Sequence, residues 1–429
     1  MATLTLPHPG RRQDAKLIGL VGLGHGVSHF SQLWLPPLFP WLKDDFGVSY
    51  TQLGFLLTLF FVVSCVVQTL SGFWVDRHGP RPVLMAGLAC VGLAALGYAA
   101  STSYWMLAAF AVLAGIGNGV FHPVDYTLIN RRVHKTRLGH AYSVHGITGS
   151  LGWALAPALL VPLTLAFSWR VALVCAAMLA FAVLGLLLMQ RAALTLPLSG
   201  ESPKKDQPGA HPAASASTST STSTLASGPS SDAPYAFLRL PAVWLCFGFF
   251  FFYAGALSVV QTFGPQAAGQ LHAVPATWVA MCITVYMVCS ASGMVLGGFL
   301  AVNAERCQRI VGVAFALAAA VALWVGLGSL PAAAVPVLFG VMGFVSGMAG
   351  PSRDLLVKQA TPDNASGRVY GVVYSGLDIG QALVPLVVGP LMDRAAFSAV
   401  WLVLAALQAV LIFSAFQVGR ARRPALAAA

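Results

Sequence analysis

Of 429 residues only 9% are charged while 57% are hydrophobic, and the mean hydropathy is +0.77. A water-soluble domain of this length could not clothe its surface with so little charge, so a soluble globular protein is excluded and lipid must be the solvent of most side chains. The net charge of +11 is explained by the cations of membrane loops, so no nucleic-acid partner is expected.

Crossing a hydrocarbon core takes ~20 apolar residues. Blocks of that kind span 17–40, 50–72, 82–101, 105–130, 140–163 and 168–190, then 240–268, 275–302, 308–328, 333–357, 368–392 and 397–418. The expected fold is therefore an all-α membrane protein of twelve transmembrane helices in two six-helix bundles, residues 1–191 and 237–429. With the N-terminus in the cytosol, twenty of the 24 Lys and Arg fall in cytosolic segments, three (Lys43, Arg170, Arg394) fall on the other side, and Arg353 lies within a helix. Both termini are thus expected to be cytosolic, in a bacterial inner membrane. The polar, basic start MATLTLPHPGRRQDAK predicts no cleavable signal. Cys65, Cys90, Cys175, Cys246, Cys282 and Cys289 fall in apolar blocks and Cys307 in a cytosolic loop, without metal-binding spacing, so they read as packing residues and no metal site is expected.

In the first block His25 and His29 stand at i and i+4 and share a face, which should look into the bundle or an aqueous cavity because ionisable groups are costly in lipid. They read either as neutral, hydrogen-bonded packing residues or as a substrate or proton site. Pro36, Pro37 and Pro40 end this helix before an outer loop, LKDDFGVSY. The second block closes in GFWVDRHGPRPVL, Gly72 to Leu84, with turn chemistry at Gly79 and Pro80. The third, rich in Gly and Ala, reads as structural packing.

The fourth and fifth blocks carry the clearest organisation: GIGNGVFHPVDYTLINRRVHKTRLGHAYSVHGITGSLGWALAPALLVP, Gly115 to Pro162, recurs in degraded form from Gly343 to Pro390. Adding 228 pairs Gly115 with Gly343, Gly119 with Gly347, Pro123 with Pro351, Gly152 with Gly380 and Pro157 with Pro385. Duplicated membrane bundles of this kind are the architecture of secondary transporters. Pro123 should free a backbone carbonyl near Gly119 that something else must satisfy. His122 and Asp125 share a helix face, and His145, at similar depth on the next helix, could be the neighbour of Asp125. Asp125 reads either as a functional acid or as a helix-end partner of Arg131 or Arg132.

Residues 192–236, with KKDQPGAHPAASASTSTSTSTLASGPSSD, have no apolar face to bury and should be a disordered cytosolic linker. In the second half, Tyr253 and Gln261 stand among the aromatics of VWLCFGFFFFYAGALSVVQTFGPQ, and Phe249 to Phe252 are expected to contact lipid and neighbouring helices. Arg353 and Asp354, near a helix end, read as paired with one another or with residues of the facing loop. Asp378 lies eleven residues past Gly367, roughly 16 Å into the bilayer. There it should be protonated, paired with a histidine of the other half, or in contact with a wet cavity.

Gly72, Asp76, Arg77, Gly79 and Arg81 resemble the signature loop of the major facilitator superfamily between its second and third helices, with Trp74 in place of the usual Leu. The resemblance implies the major facilitator fold and a conformational gate at those five residues. In the second half the matching loop, GGFLAVNAERCQRI, keeps Gly298 and offers Asn303 or Glu305 in place of the Asp. It also implies that helices one, four, seven and ten line the central cavity, making Tyr253 and Gln261 substrate-site candidates. Gly149, Gly152 and Pro157 look like the Gly and Pro signature of that superfamily's antiporters, although the Arg that pattern wants near Ala111 is absent. SHFSQLWLPPLFPWLKDDFGVSYTQLG, GFWVDRHG, GIGNGVFHP and SVHGITGSLGWALAP together are similar to drug exporters of the fosmidomycin-resistance type; Leu33 and Val124 stand where those carry acids. The expectation is a monomeric transporter, not an enzyme, needing no cofactor and driven by the proton gradient. It would export drugs or metabolites by alternating access, with His25, His29, His122, Asp125, His145, Tyr253, Gln261 and Asp378 as the substrate or proton site. Proton-linked uptake of an organic acid, with Arg353 or protonated histidines holding the carboxylate, and a non-transporting sensor are the alternatives.

Overall fold

The computed structural model describes residues 10–196, 241–300, 304–360 and 366–420, and these residues are nearly all helical. The first half comprises α1 (Arg11–Gln32), α2 (Phe39–Phe46), α3 (Tyr50–His78), α4 (Pro80–Ala100), α5 (Tyr104–Asn118), α6 (Phe121–Arg132), α7 (Leu138–Ala166) and α8 (Trp169–Met189). The second comprises α9 (Pro241–Ser258), α10 (Gly264–His272), α11 (Ala276–Leu300), α12 (Ala304–Leu327), α13 (Ala334–Ala360), α14 (Ser366–Asp393) and α15 (Phe397–Arg420). Eleven spans among the described residues are long and apolar enough to cross a membrane. The twelfth expected span is α1, which packs along α7 in the same bundle but whose hydropathy is diluted by Asp14, His25, Ser28, His29, Ser31 and Gln32.

The halves repeat each other at their glycine seams. A Cβ added at Gly115 would stand 2.5 Å from the Phe60 carbonyl oxygen and one at Gly119 2.6 Å from that of Ser64, so α5 can lie on α3 only because both residues lack side chains. Gly343 and Gly347 make the same approach of α13 to the Tyr286 and Ser290 carbonyls of α11. Gly152 on α7 faces the Gly26 carbonyl of α1, and Gly380 on α14 faces that of Phe251 on α9. The halves meet along α3 with α14 and α7 with α11.

Several local expectations are corrected. The blocks 105–130 and 240–268 are not single helices: the first breaks after Asn118 into α5 and α6, and the second passes through one π turn, Val259–Phe263. Pro123 and Pro265 are the causes, since each lacks the N–H that would close the turn before it. The freed Gly119 carbonyl is met by Ser71 Oγ at 3.4 Å. Most of the expected outer loop LKDDFGVSY is helical, as α2 runs to Phe46 before Gly47 (φ 61°) caps it. Cys307 lies in α12, fully buried, rather than in a loop. Of the expected contacts of Phe249 and Phe250 with lipid and neighbouring helices, those with helices are made, both side chains being buried in the packing. Arg191–Leu194 form one 3-10 turn with Leu194 buried; the rest of the expected linker, residues 197–236, lies outside the described residues. So do the side chains of Asp354 and Glu305, together with Asn303.

The signature loop is a turn of one residue. α3 continues to His78, α4 starts at Pro80, and Gly79 alone joins them at φ 83°, ψ 161°. That conformation is essentially restricted to glycine. Gly79→Ala should therefore cost about 1–3 kcal/mol of strain, read as a lower thermal-unfolding midpoint in detergent, and an unchanged midpoint would refute the assignment of that turn.

Candidate functional site

The break between α5 and α6 turns the start of α6 toward α1 and α7, and this gathers five of the predicted residues. Asp125 on α6 is fully buried, and its Oδ2 accepts from His25 Nδ1 of α1 and from His145 Nε2 of α7, each at 3.1 Å. The His25 and His145 rings stack with centroids 3.5 Å apart. His29 lies one turn along α1, 4.3 Å from His25 and 4.2 Å from Trp153 between ring centroids, and His122 is 5.3 Å from His25. The reading of Asp125 as a partner of Arg131 or Arg132 is overturned. Arg131 instead faces Asp76 at 3.6 Å, and Arg132 donates to the Thr195 carbonyl at 3.0 Å.

Asp378 does not reach a histidine of the other half directly. Gln68 on α3 stands between them: its Oε1 accepts from His122 Nδ1 at 3.0 Å, and its Nε2 donates to Asp378 Oδ2 of α14 at 3.1 Å. The cluster of the first half and the lone acid of the second are thereby joined through one amide across the interface. The sequence signal for Gln68 is slight, a lone Gln in the apolar run VVSCVVQTL.

A second polar chain runs beside the first. Trp153 Nε1 donates to Gln32 Oε1 at 2.9 Å, Gln32 Nε2 to Asn118 Oδ1 at 3.2 Å, and Asn118 Nδ2 to Ser64 Oγ at 2.8 Å, while Ser28 Oγ also donates to Asn118 Oδ1 at 2.7 Å. None of these residues was singled out in the sequence. They show why α1 carries polar residues on its inward face: His25, Ser28 and Gln32 each bond to a neighbouring helix.

Tyr253 and Gln261 are not part of this cluster. Gln261 sits in the π turn, 3% exposed, with neither side-chain polar atom hydrogen-bonded. Tyr253 stacks under Arg353, whose guanidinium carbon is 4.5 Å from the ring centroid and 5.3 Å from that of Phe250. Of the five gate residues, Gly79 makes the turn, Asp76 faces Arg131 between exposed side chains, and Arg81 donates to Thr195 Oγ1 at 3.1 Å. Gly72 is half-buried without a close neighbour for a Cβ, and Arg77 is exposed.

Two bundles with repeated glycine seams, two interrupted helices and ionisable groups linked through Gln68 between the halves define a secondary-transporter architecture. The model of the Major Facilitator Superfamily matches residues 21–385, and the chain belongs to that family. It is 31% identical over 164 residues to the uncharacterized MFS-type transporter YfnC of Bacillus subtilis, covering 37% of this chain and 39% of that one. It is 29% identical over 150 residues to the fosmidomycin resistance protein of Escherichia coli, covering 34% and 36%. The membrane sensor protein UhpC of Escherichia coli is 27% identical over 186 residues, covering 42% of each chain. The matched stretch thus spans about two fifths of these relatives. Over nearly the whole length the fold is that of a bacterial homolog of the human lysosomal transporter Spinster in an inward-facing, occupied conformation, with TM-score 0.70 at 14% identity, covering 97% of this chain and 98% of that one. The nucleoside transporter NupG gives TM-score 0.68 at 13% identity, covering 94% and 99%.

Proposed function

We propose that this protein is a proton-coupled exporter of a small, drug-like organic molecule, working by alternating access in a bacterial inner membrane with both termini in the cytosol. The observation that carries the reading is the bond between Gln68 and Asp378: an acid in a membrane helix, at the surface where the two halves must separate, is where a proton can be taken up and released as that surface opens. No nucleotide-binding loop of the GxxxxGK[ST] kind occurs in the sequence to supply another drive. Likenesses to the fosmidomycin resistance protein and to a multidrug resistance protein B homolog of Mycobacterium tuberculosis support export of drugs or metabolites.

Asp378→Asn keeps an oxygen that Gln68 can donate to but removes the titrating group. In proteoliposomes with an internal pH dye, substrate-dependent proton movement should vanish in this variant while exchange of labelled substrate for unlabelled persists. Proton flux equal to that of the parent would remove Asp378 as the carrier. The likeness to UhpC favours one other reading, a sensor that binds without transporting, and failure of any bound ligand to cross the bilayer in either direction would select it.

A further inference from the structure

Three of the four clustered histidines are disposed as metal ligands. His25 donates Nδ1–H to Asp125 Oδ2 and His122 donates Nδ1–H to Gln68 Oε1, so each neutral ring is left with Nε2 as a lone-pair donor. An oxygen that holds the far N–H of an imidazole is the outer support that metal-ligating histidines carry, fixing tautomer and ring orientation.

His29 supplies the unexplained group. Both of its ring nitrogens are enclosed and neither completes a hydrogen bond of normal geometry, although the Gly149 backbone lies beside the ring. Ring nitrogens enclosed without partners are costly unless a further species meets them. Gly149 on α7 shows where the nitrogens point: a Cβ there would stand 3.1 Å from His25 Nε2 and 2.8 Å from His29 Nδ1. The two nitrogens therefore border one space that glycine leaves open. Ligand atoms of His25, His29 and His122 lie within 4.8 Å of one another, while atoms at ~2.0–2.1 Å around a tetrahedral ion lie roughly 3.3 Å apart. Binding would therefore require the three rings to draw together around the ion.

We propose that His25, His29 and His122 form a binding site for a divalent transition-metal ion of the Zn2+ class, with Asp125 and Gln68 orienting two of the ligands. Three neutral imidazoles select Zn2+, Co2+, Ni2+ or Cu2+ over Mg2+ and Ca2+, which prefer oxygen. They leave a fourth position open, as in metal sites that admit water or a further ligand. The sequence offered no such expectation, because the ligands come from α1 and α6, separated by 93 residues between His29 and His122. All three ligands belong to one half and none is Asp378, so metal binding is read out separately from transport direction, although Gln68 touches both His122 and Asp378.

The test uses the purified full-length protein in detergent, stripped with a chelator and titrated with Co2+ alone. One Co2+ per chain should bind, with a visible absorption band of a nitrogen-ligated ion of low coordination number, and Zn2+ should displace it. Gln68→Ala should weaken binding ~10- to 100-fold, the range for an outer support, and His29→Ala and His122→Ala should weaken it further. Gly149→Ala removes no ligand but occupies the space and should also abolish the band. Because the His29 nitrogens make no hydrogen bond, His29→Ala should stay folded, and Zn2+ should raise the thermal midpoint of the parent but not of this variant. Absence of stoichiometric binding, or equal binding by parent, His29→Ala and His122→Ala, would overturn the site and assign any bound ion to exposed histidines such as His78.

Discussion

Asp125→Ala is expected to destabilise the first bundle by about 2–6 kcal/mol, the cost of leaving two buried N–H donors unmatched at ~1–3 kcal/mol each. The donors are His25 Nδ1 and His145 Nε2, both on Oδ2 of a carboxylate with no exposed surface. α1, α6 and α7 meet at this one oxygen, so its loss loosens three helices at once. Asp125→Asn retains an acceptor with two lone pairs and should cost about 1 kcal/mol, one ordinary hydrogen bond. Thermal unfolding of both variants in the same detergent checks the order. An Asp125→Ala midpoint equal to that of the parent would mean that the cluster does not hold these helices together.

Asp393→Ala should shift the protein toward a state open at the end of the bundle away from the termini. Asp393 closes α14, and its carboxylate accepts from Tyr50 N at 2.7 Å, Thr51 N at 3.0 Å and Thr51 Oγ1 at 2.5 Å, at the start of α3 in the other half. Ser49 already caps Gln52 N within α3, so Asp393 satisfies the amides that local capping leaves over and meets the positive end of the helix. Gly389 lets the strands of contact close, since a Cβ there would stand 2.8 Å from Thr51 Cα. Further along the same seam Thr58 Oγ1 donates to the Ala382 carbonyl at 2.7 Å. Water can replace the lost acceptor because Asp393 is exposed, so the bonds contribute about 1–2 kcal/mol rather than their full strength, a factor of roughly 5–30 in population. Spin labels near the start of α3 and the end of α14 would read this as a longer distance gaining weight. An unchanged distance distribution would show that the carboxylate does not latch the halves.

How far the sequence spoke depended on the kind of information each feature needs. The pairs Gly119 with Gly347 and Gly152 with Gly380 were legible as a repeat, and the structure gives them one cause, helix backbones in contact. Pro123 was legible as a freed carbonyl, though its partner, Ser71, was not. Gly79 was legible as a turn, but not as the only non-helical residue between α3 and α4. His25 and His29 could be placed on one face by spacing, whereas their neighbours could not: His122, Asp125 and His145 arrive from helices whose break and rotation no periodicity encodes. Asp125 illustrates the limit: depth along the chain suggested His145 as its neighbour, which packing bears out, while the alternative of Arg131 or Arg132 failed and His25 came from a helix that no local pattern links to it.

By itself the sequence determined that lipid is the solvent, that two related halves exist, and that buried ionisable groups are concentrated at a few helix positions. These follow from composition, period and the cost of charge in hydrocarbon, which are properties of the chain read locally. Only the tertiary structure decided which acid meets which histidine, that Gln68 carries the link from His122 to Asp378, and that Asp393 holds α3. Those pairings depend on helix rotation and on contacts between residues as much as 343 positions apart, and such distances leave no pattern in neighbouring residues.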